Sequence, residues 1–389
     1  MKHNTPKYIA AIDIGTSKVA TLVGEKTEDG RVKIIAGACS PTIPNAMVRG
    51  DVKNISSLGT SIQKTLKAIE EDDGIVVKEA FVGLSGQHIQ CVQHSEHIYV
   101  TNEDGDIKAA DVEALINNMY HIRLEDNTDI IDILPQSYSV GNESNIKQPV
   151  GMIGNKLEGT FNIIVGDKKK INFVNLCLQK QGIKPVELIL SSLASAEAVL
   201  DEDEKELGVA VVDIGGGTCD IAIYHDNDLH FLGVIPLGSE LINKDIKSFG
   251  ILERFLEGLK TEHGNALPST TSDDVVITLP SISGSTPKEI PERTLSEIIE
   301  ARMMDILKAV VDIVSESGFA DKMGAGIVLT GGGANLKNVD KLFIKHLGCN
   351  VRIGIPSLHV DCTNSEIICD PKFSTAVGLV LRGAQSGAE

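Results

Sequence analysis

Two stretches of the chain share one pattern, a buried strand that ends in an aspartate and a glycine turn. The first is AAIDIGTSKV, from Ala10 to Val19, and the second is VVDIGGGTCD, from Val211 to Asp220. Each apolar run is short and bounded by turn residues, as buried strands are. A carboxylate at the end of a buried strand is costly unless it is paired or faces a cation. The repeat therefore constrains the fold and the function together.

The strands around each turn predict a duplicated domain. The first meander comprises strands predicted at 8–12, 19–23 and 32–36. The second comprises strands predicted at 207–212, 221–224 and 229–235. Apolar residues with helical spacing predict helices at 58–69, 191–200, 240–249, 252–261 and 295–314. The sequence therefore predicts an α/β protein with two related halves.

A separate module interrupts the first half. Extended segments are predicted at 88–100, 130–140 and 159–165, with a helix at 106–120. Asp167 is placed to cap a helix that Gly182 and Pro185 would stop. The acidic run from Asp201 to Glu206 is predicted to be a solvated turn before the second meander.

Composition excludes several classes of function. The chain has 389 residues, 42% of them hydrophobic, and a formal net charge of -18. This charge argues against nonspecific nucleic-acid binding and against electrostatic attachment to anionic lipid. The seven cysteines show no C-x-x-C spacing, which is typical of reduced thiols in a cytosolic protein. The sequence offers neither a secretory signal nor a spanning segment, so we expect a soluble chain.

The first turn has the donors that phosphate oxygens require. Gly15 permits close backbone approach, and Thr16, Ser17 and Lys18 supply two hydroxyls, an ammonium group and amides. Asp13 would face Mg²⁺, through water, since magnesium keeps much of its hydration shell.

The second turn offers the same chemistry, and a third glycine cluster follows a strand near the C-terminal end. The second set is Asp213, Gly215, Gly216, Gly217 and Thr218. The third set is Gly331, Gly332, Gly333 and Ala334, predicted to open a helix and to approach a nucleotide at close range. One such turn alone is weak evidence. The three together predict a triphosphate clamped between two halves, with Asp13 and Asp213 as magnesium ligands.

Other phosphate and metal motifs do not fit. No Gly-Lys dipeptide occurs, which excludes a Walker A loop, and the third turn lacks the last glycine and the βαβ context of a dinucleotide fingerprint. The stretch from Gly86 to Val100 holds three histidines and Cys91. On an extended strand His88 and His94 would face one side and Cys91 and His97 the other, so we expect strand residues rather than a metal site.

The motifs DIGTSK, DIGGGT and LTGGGA resemble the two phosphate motifs and the adenosine motif of the superfamily of actin, heat-shock chaperones and sugar kinases. FLEGLKTEHG, at 255–264, resembles its ribose motif, with Leu256 where alanine is usual. That likeness implies that Glu257 and Lys260 contact the nucleoside. LASAEAV and STAVGLV lie where the superfamily's connecting helices belong.

Within the superfamily the sequence resembles the FtsA family of bacterial cell-division proteins, from about residue 8 to residue 383. The segments IDIGTSKVATLVGE, GLSGQHI and ELGVAVVDIGGGTCDIAIY carry this resemblance. It implies an actin-like (ribonuclease H-like) fold, with duplicated domains around a nucleotide cleft and an inserted α+β subdomain. The implied boundaries are 1–85, 166–200 and 362–389 for the first domain, 86–165 for the insert, 201–238 and 325–361 for the second domain, and 239–324 for its upper subdomain.

The resemblance implies a function that spacing does not show. Members of this family bind ATP, with Mg²⁺, polymerise into actin-like filaments, tether FtsZ to the inner face of the cytoplasmic membrane and recruit other division proteins. The FtsZ tail is expected on residues 239–324, where Arg293 and Arg302 are candidates to contact its acidic residues; a plain solvated face is the alternative. RGAQSGAE, at 382–389, has no apolar face, so we expect the family's amphipathic membrane helix to be missing from this chain.

No catalytic residue is assigned. Ser192 stands where the relative MreB places a glutamate that orients water, and Glu197 lies more than a helical turn further on. We therefore expect tight ATP binding with slow or negligible hydrolysis. Two other functions remain open: a PilM-like scaffold for pilus assembly, and a sugar-kinase-type phosphotransferase, for which we find no convincing catalytic base or substrate pocket.

Overall fold

The computed structural model describes residues 8–101, 104–279, 288–362 and 365–386. The strands in these residues are β1 (Ile9–Ile14), β2 (Lys18–Lys26), β3 (Val32–Pro41), β4 (Met47–Val48), β5 (Asp51–Val52), β6 (Glu79–Leu84), β7 (Gln90–Tyr99), β8 (Thr128–Val140), β9 (Glu143–Ile146), β10 (Lys156–Asp167), β11 (Lys184–Leu190), β12 (Val209–Ile214), β13 (Cys219–His225), β14 (Asp228–Ile235), β15 (Val276–Leu279), β16 (Lys288–Pro291), β17 (Gly326–Thr330), β18 (Val351–Ile353) and β19 (Val360–Cys362). The helices are α1 (Ile55–Asp73), α2 (Ala109–Met119), α3 (Lys168–Lys180), α4 (Ser191–Val199), α5 (Glu202–Leu207), α6 (Glu240–Ser248), α7 (Glu253–His263), α8 (Glu292–Glu316), α9 (Val339–Leu347), α10 (Ser365–Cys369) and α11 (Ser374–Ser386).

Two sheets share one topology. In the first sheet, β1, β2 and β3 form an antiparallel meander, β6 lies parallel to β1, and β11 lies parallel to β6. In the second sheet, β12, β13 and β14 form the meander, and β17 and β18 continue it in parallel on the other side of β12. The duplication predicted from the repeated meander is confirmed.

The central strands have continuous apolar sequences because helices cover both faces of each sheet. Every residue of β1 and of β12 is buried. On the first sheet, one face packs against α1 and α3 and the other against α11 and α4. On the second sheet, α8 and α9 cover one face. The ends of β1 and β12, where the glycine turns begin, are therefore held by a packed core.

Helices α4 and α11 lie between the two sheets. They cross in close contact, Gly378 against Ala194, and both belong to one apolar cluster that also includes residues of β1 and β12. LASAEAV and STAVGLV fall within these helices, as the superfamily resemblance implied.

The insert is a small α+β unit with its own core. Its sheet has the order β7-β10-β8-β9 and packs against α2. The chain enters the insert after β6 and leaves it through β10 into α3, whose first amides are capped by Asp167 as predicted. Asn162 in the insert donates to the carbonyl oxygen of Leu229 in β14, at 3.2 Å, so the insert also contacts the second sheet.

The acidic run from Asp201 to Glu206 is not a turn, and this prediction is wrong. The run forms the short helix α5. The Asp201 carboxylate accepts from the Glu204 amide at 2.8 Å, and the Glu204 carboxylate accepts from the Asp201 amide at 3.2 Å. This is a capping box, whose D-x-x-E signature was present in the sequence. Arg352 then binds both carboxylate oxygens of Glu204, each at 2.6 Å.

Strands β11 and β19 are among those that were not predicted. β11 begins at Lys184, where Gly182 and Pro185 were expected only to stop a helix. Proline is tolerated there because β11 is an edge strand of the first sheet. β19 pairs with β3 of the first sheet, and the predicted domain boundary between residues 361 and 362 falls inside this strand.

Among the described residues, none of the helices has the length and apolar character needed to cross a membrane.

Candidate functional site

The first glycine turn, Gly15–Lys18, joins β1 to β2. It is closed by a hydrogen bond from the Gly15 amide to the Lys18 carbonyl oxygen, at 2.9 Å. Asp13, at the end of β1, is only 7% exposed. Lys18 Nζ lies 2.5 Å from Asp13 Oδ2. Burial lowers the pKa of Lys18, but the Asp13 carboxylate outweighs it, so the pKa of Lys18 is raised. The pair places a fixed cation at the turn.

The second glycine turn, Gly215–Thr218, repeats this geometry between β12 and β13. The Gly215 amide donates to the Thr218 carbonyl oxygen at 2.9 Å. Asp213 is as buried as Asp13, at 6% exposed, but its partners are hydroxyls rather than a cation. Ser195 Oγ donates to Asp213 Oδ2 at 2.5 Å and Thr375 Oγ1 at 3.1 Å. Burial raises the pKa of Asp213, and the Ser195 hydrogen bond offsets part of this effect.

The two turns face each other in direct contact. A methyl group on Gly216 would lie 2.8 Å from Ser17 Cβ, and one on Gly217 would lie 2.5 Å from Thr16 Oγ1. Among the hydrogen bonds of the described residues, the amides of these four residues donate to no protein acceptor. Four amides, two hydroxyls and the Lys18 ammonium group are a donor set that suits phosphate oxygens.

The third glycine turn, Gly331–Ala334, lies beside the second. Gly331 has a φ of 80°, and its α-carbon is so close to the Asp213 carboxylate that no side chain would fit. Gly333 packs against Ile214, whereas Gly332 is exposed. The predicted helix begins later than expected, because a short 3₁₀ segment over 332–335 precedes α9. The structure thus brings the second and third predicted sets together.

Glu257 and Lys260 lie on α7 at the edge of this site. Lys260 is buried, and its Nζ lies 2.8 Å from Glu257 Oε2, which also accepts from Asn243 at 2.6 Å. The Glu240 amide, at the start of α6, donates to the Gly216 carbonyl oxygen of the second turn at 2.9 Å. Burial raises the pKa of Glu240, and the Lys260 cation opposes the rise.

The two candidate partner-binding arginines lie apart from the glycine turns. Arg302, on α8, makes a two-point contact with Asp245 at 2.8 and 3.0 Å and a contact with Asp305 at 2.8 Å. Arg293, on the same helix, lies 3.2 Å from Asp273 and 3.5 Å from Glu297. Both guanidinium groups are therefore paired within their own subdomain.

Sequence reasoning missed four residues at the site: Ser85, Ser195, Asp220 and Thr375. Asp220 lies opposite Asp213 in the β12–β13 register, so both carboxylates are on one face. It accepts from Ser85 Oγ at 2.7 Å and from Thr218 Oγ1 at 3.1 Å. Burial and the neighbouring Asp213 raise the pKa of Asp220 to about 7. The D-x-G-x-x turn length fixes this register, so Asp220 could have been found from the sequence.

His88 and His94 do not share one face of a strand, contrary to the prediction. β7 begins at Gln90, so His88 lies before it, buried beside Asp51. Within the ranges that the structure describes, no group of three or more histidine, cysteine or acidic side chains is arranged to hold a metal ion on its own.

Two sheets of one topology, with aspartate-based glycine turns in contact and a third glycine turn beside them, define an actin-like protein. Solved structures with this fold include a PilM–PilN type IV pilus biogenesis complex, with a TM-score of 0.68 and 16% identity over 97% of this chain and 98% of the other. They also include MreB5 of Spiroplasma citri bound to ADP, with a TM-score of 0.52 and 14% identity over 97% and 95%.

Sequence comparison identifies the family within this fold. The family model described as cell division protein FtsA matches residues 210–378, and the model of the SHS2 domain inserted in FtsA matches residues 86–165. Cell division protein FtsA of Pseudomonas aeruginosa is 32% identical over 98% of this chain and 91% of its own length. That of Escherichia coli is 32% identical over 99% and 92%. The chain belongs to the FtsA family of cell-division proteins.

Proposed function

We propose that this chain is an ATP-binding cell-division protein that assembles into actin-like filaments and links FtsZ to the inner face of the cytoplasmic membrane at the division site, where it recruits later division proteins. The observation that supports this most directly is the face-to-face contact of two glycine turns whose four central amides donate to no protein acceptor among the described residues. Family membership supplies the cellular process.

The residues fit a magnesium nucleotide. Thr16, Ser17, Gly216 and Gly217 would donate to phosphate oxygens, and Lys18 would contribute its charge. Asp13 and Asp213 would hold Mg²⁺ through water, and the ion would neutralise phosphate charge. Glu257 and Lys260 would contact the ribose. The MreB5 structures contain ADP or AMPPNP, which agrees with nucleotide binding in this fold.

Hydrolysis is proposed to be slow. Ser192 is buried on α4, and Glu197, the nearest carboxylate on that helix, lies 3.9 Å from Arg382. A carboxylate paired in this way is a poor group to orient an attacking water. ATP would then act as a structural ligand that holds the two sheets together.

The FtsZ tail is proposed to dock on residues 239–324. An acidic tail would have to displace Asp245 or Asp305 from Arg302, or Asp273 from Arg293, and form the same charge-assisted contacts. Because the protein itself carries a net charge of -18, these exchanges would be sensitive to ionic strength.

Co-sedimentation with ATP and Mg²⁺, with and without an FtsZ tail peptide, tests the proposal. We expect the chain to pellet with ATP and to retain the peptide. Arg302→Ala should weaken peptide retention, whereas Lys308→Ala, at an exposed position of the same helix, should not. A chain that neither pellets with ATP nor retains the peptide would contradict the proposed function.

A further inference from the structure

A tight hairpin lies between the first glycine turn and the insert. Strands β4 and β5 are joined by Arg49 and Gly50, with φ values of 51° and 79°. A two-residue turn with both φ values positive is type I′, and a non-glycine residue there is strained. A methyl group on Gly50 would lie 2.7 Å from the Ser85 carbonyl oxygen and from Gly86 Cα. The hairpin is therefore fixed against the point where the chain leaves the first sheet for the insert.

The same hairpin contacts the predicted phosphate site. The Gly50 amide donates to Thr16 Oγ1 at 3.3 Å. Because the Thr16 hydroxyl accepts this bond, its own proton is available for another acceptor, such as a phosphate oxygen. The position of Gly50 thus sets the orientation of one donor of the first turn.

Asp51, the next residue, contacts both chain segments that connect the insert to the first sheet. Its Oδ2 lies 3.0 Å from Lys170 Nζ, in the first turn of α3, directly after the chain leaves the insert. Its Oδ1 lies 3.4 Å from His88 Nδ1, directly before the insert's first strand. Lys53 Nζ approaches from the more exposed side, at 3.4 Å from Oδ2.

This cluster is incompletely bonded. Asp51 Oδ1 and both ring nitrogens of His88 are buried without a hydrogen-bond partner among the described residues. The 3.4 Å separation of Oδ1 and Nδ1 is a few tenths of an ångström longer than a good hydrogen bond. A small shift of the hairpin would therefore make or break a hydrogen bond between Asp51 and His88, where the chain enters the insert.

We propose that Asp51 is a positioning residue that couples phosphate contact at Thr16 to the position of the insert relative to the first sheet. Phosphate binding at Thr16 shifts Gly50, and Asp51 transmits the shift to His88 and Lys170. The coupling rests on the proposed nucleotide binding and adds to it a route from the nucleotide to the insert. Both sites contact this one hairpin, so a shift of the hairpin would reach both, as coupling requires.

Hydrogen–deuterium exchange of the full chain, with and without ATP and Mg²⁺, tests this coupling. We expect ATP to slow amide exchange at residues 86–90 and 166–170. Asp51→Asn, which keeps the shape and removes the charge, should abolish this slowing while ATP affinity changes by no more than about threefold. Lys53→Ala is the matched control, since it removes the exposed neighbour of Asp51 and should preserve the slowing.

Lys170→Met provides a second route to the same result, because the Lys170 side chain is partly exposed and a fold defect is less expected there. Slowing at both segments that survives Asp51→Asn and Lys170→Met would overturn the coupling. ATP binding by the unsubstituted chain with no change at these segments would overturn it and leave the proposed function standing. An unsubstituted chain that binds no ATP would contradict both.

Discussion

Ser85 and Asp220 form a hydrogen bond that joins the two halves of the protein. Ser85 follows β6 of the first sheet, and its Oγ lies 2.7 and 2.9 Å from the two carboxylate oxygens of Asp220 in β13 of the second sheet. The contact is next to the second glycine turn, because Thr218 of that turn also donates to Asp220. A carboxyl group with a pKa of about 7 therefore lies between the halves.

Asp220→Asn should change how stability depends on pH. The pKa of Asp220 is about 7 in the folded chain against an ordinary 3.8, so the folded state keeps a proton that the unfolded state loses. The contribution of Asp220 to the free energy of unfolding therefore falls as pH rises from about 4 to about 7 and is constant above. The free energy of unfolding of the asparagine variant, relative to the unsubstituted chain, should therefore rise over this window by on the order of 4 kcal/mol in total.

Urea unfolding at several pH values between about 5.5 and 8 measures this difference. Asp321→Asn, at an exposed position, is the control for the same chemical change away from the site. If the free energy of unfolding of Asp220→Asn, relative to the unsubstituted chain, stays constant or falls as pH rises, the raised pKa of Asp220 is contradicted.

Ser85→Ala should weaken the connection between the halves. The variant leaves Asp220 with Thr218 as its hydroxyl donor, and a buried carboxylate that loses a hydrogen bond costs about 1–3 kcal/mol. Thermal unfolding should report the loss. Ser95→Ala, which removes an exposed bond to Thr160, is the control and should have little effect. Equal melting temperatures for the two variants would contradict this account.

Gly217→Ala should push the two glycine turns apart. The added methyl would lie 2.5 Å from Thr16 Oγ1, closer than van der Waals contact permits. We expect lower thermal stability and weaker ATP binding together. Gly332→Ala is the matched control for stability, since the nearest atom to its added methyl is Lys372 Cβ at 4.0 Å. A Gly217→Ala variant as stable as Gly332→Ala would contradict the contact between the turns.

Asp213→Ala should impair ATP binding far more than Ser17→Ala. Asp213 is proposed to face magnesium, and its loss should cost about 100-fold in affinity. Ser17 is one hydroxyl among several donors, so its loss should cost about tenfold or less. Fluorescence titration with a nucleotide analogue compares the two. Unchanged affinity in Asp213→Ala would rule out the magnesium role.

The duplicated topology could be predicted because its signals are local. Continuous apolar runs at β1 and β12, each followed by D-x-G, specify a buried strand and a tight turn without reference to the rest of the chain. Asp167 was likewise recognisable as a helix cap from its neighbours alone.

The cross-domain partners could not be predicted, because isolated serines and threonines carry no pattern. Ser85 and Ser195 acquire their roles only when separate elements pack side by side. His88 was expected to share a strand face with His94. The strand instead begins at Gln90, since His88 is packed against Asp51 in a neighbouring hairpin that the local sequence does not reveal.

Calorimetric titration of the intact chain with ATP and Mg²⁺ tests the nucleotide site without any substitution. We expect one ATP bound per chain, with an affinity that falls sharply when Mg²⁺ is chelated and when Asp213 is replaced by asparagine. The absence of binding, or binding that neither change affects, would contradict the assignment of the paired glycine turns as the nucleotide site.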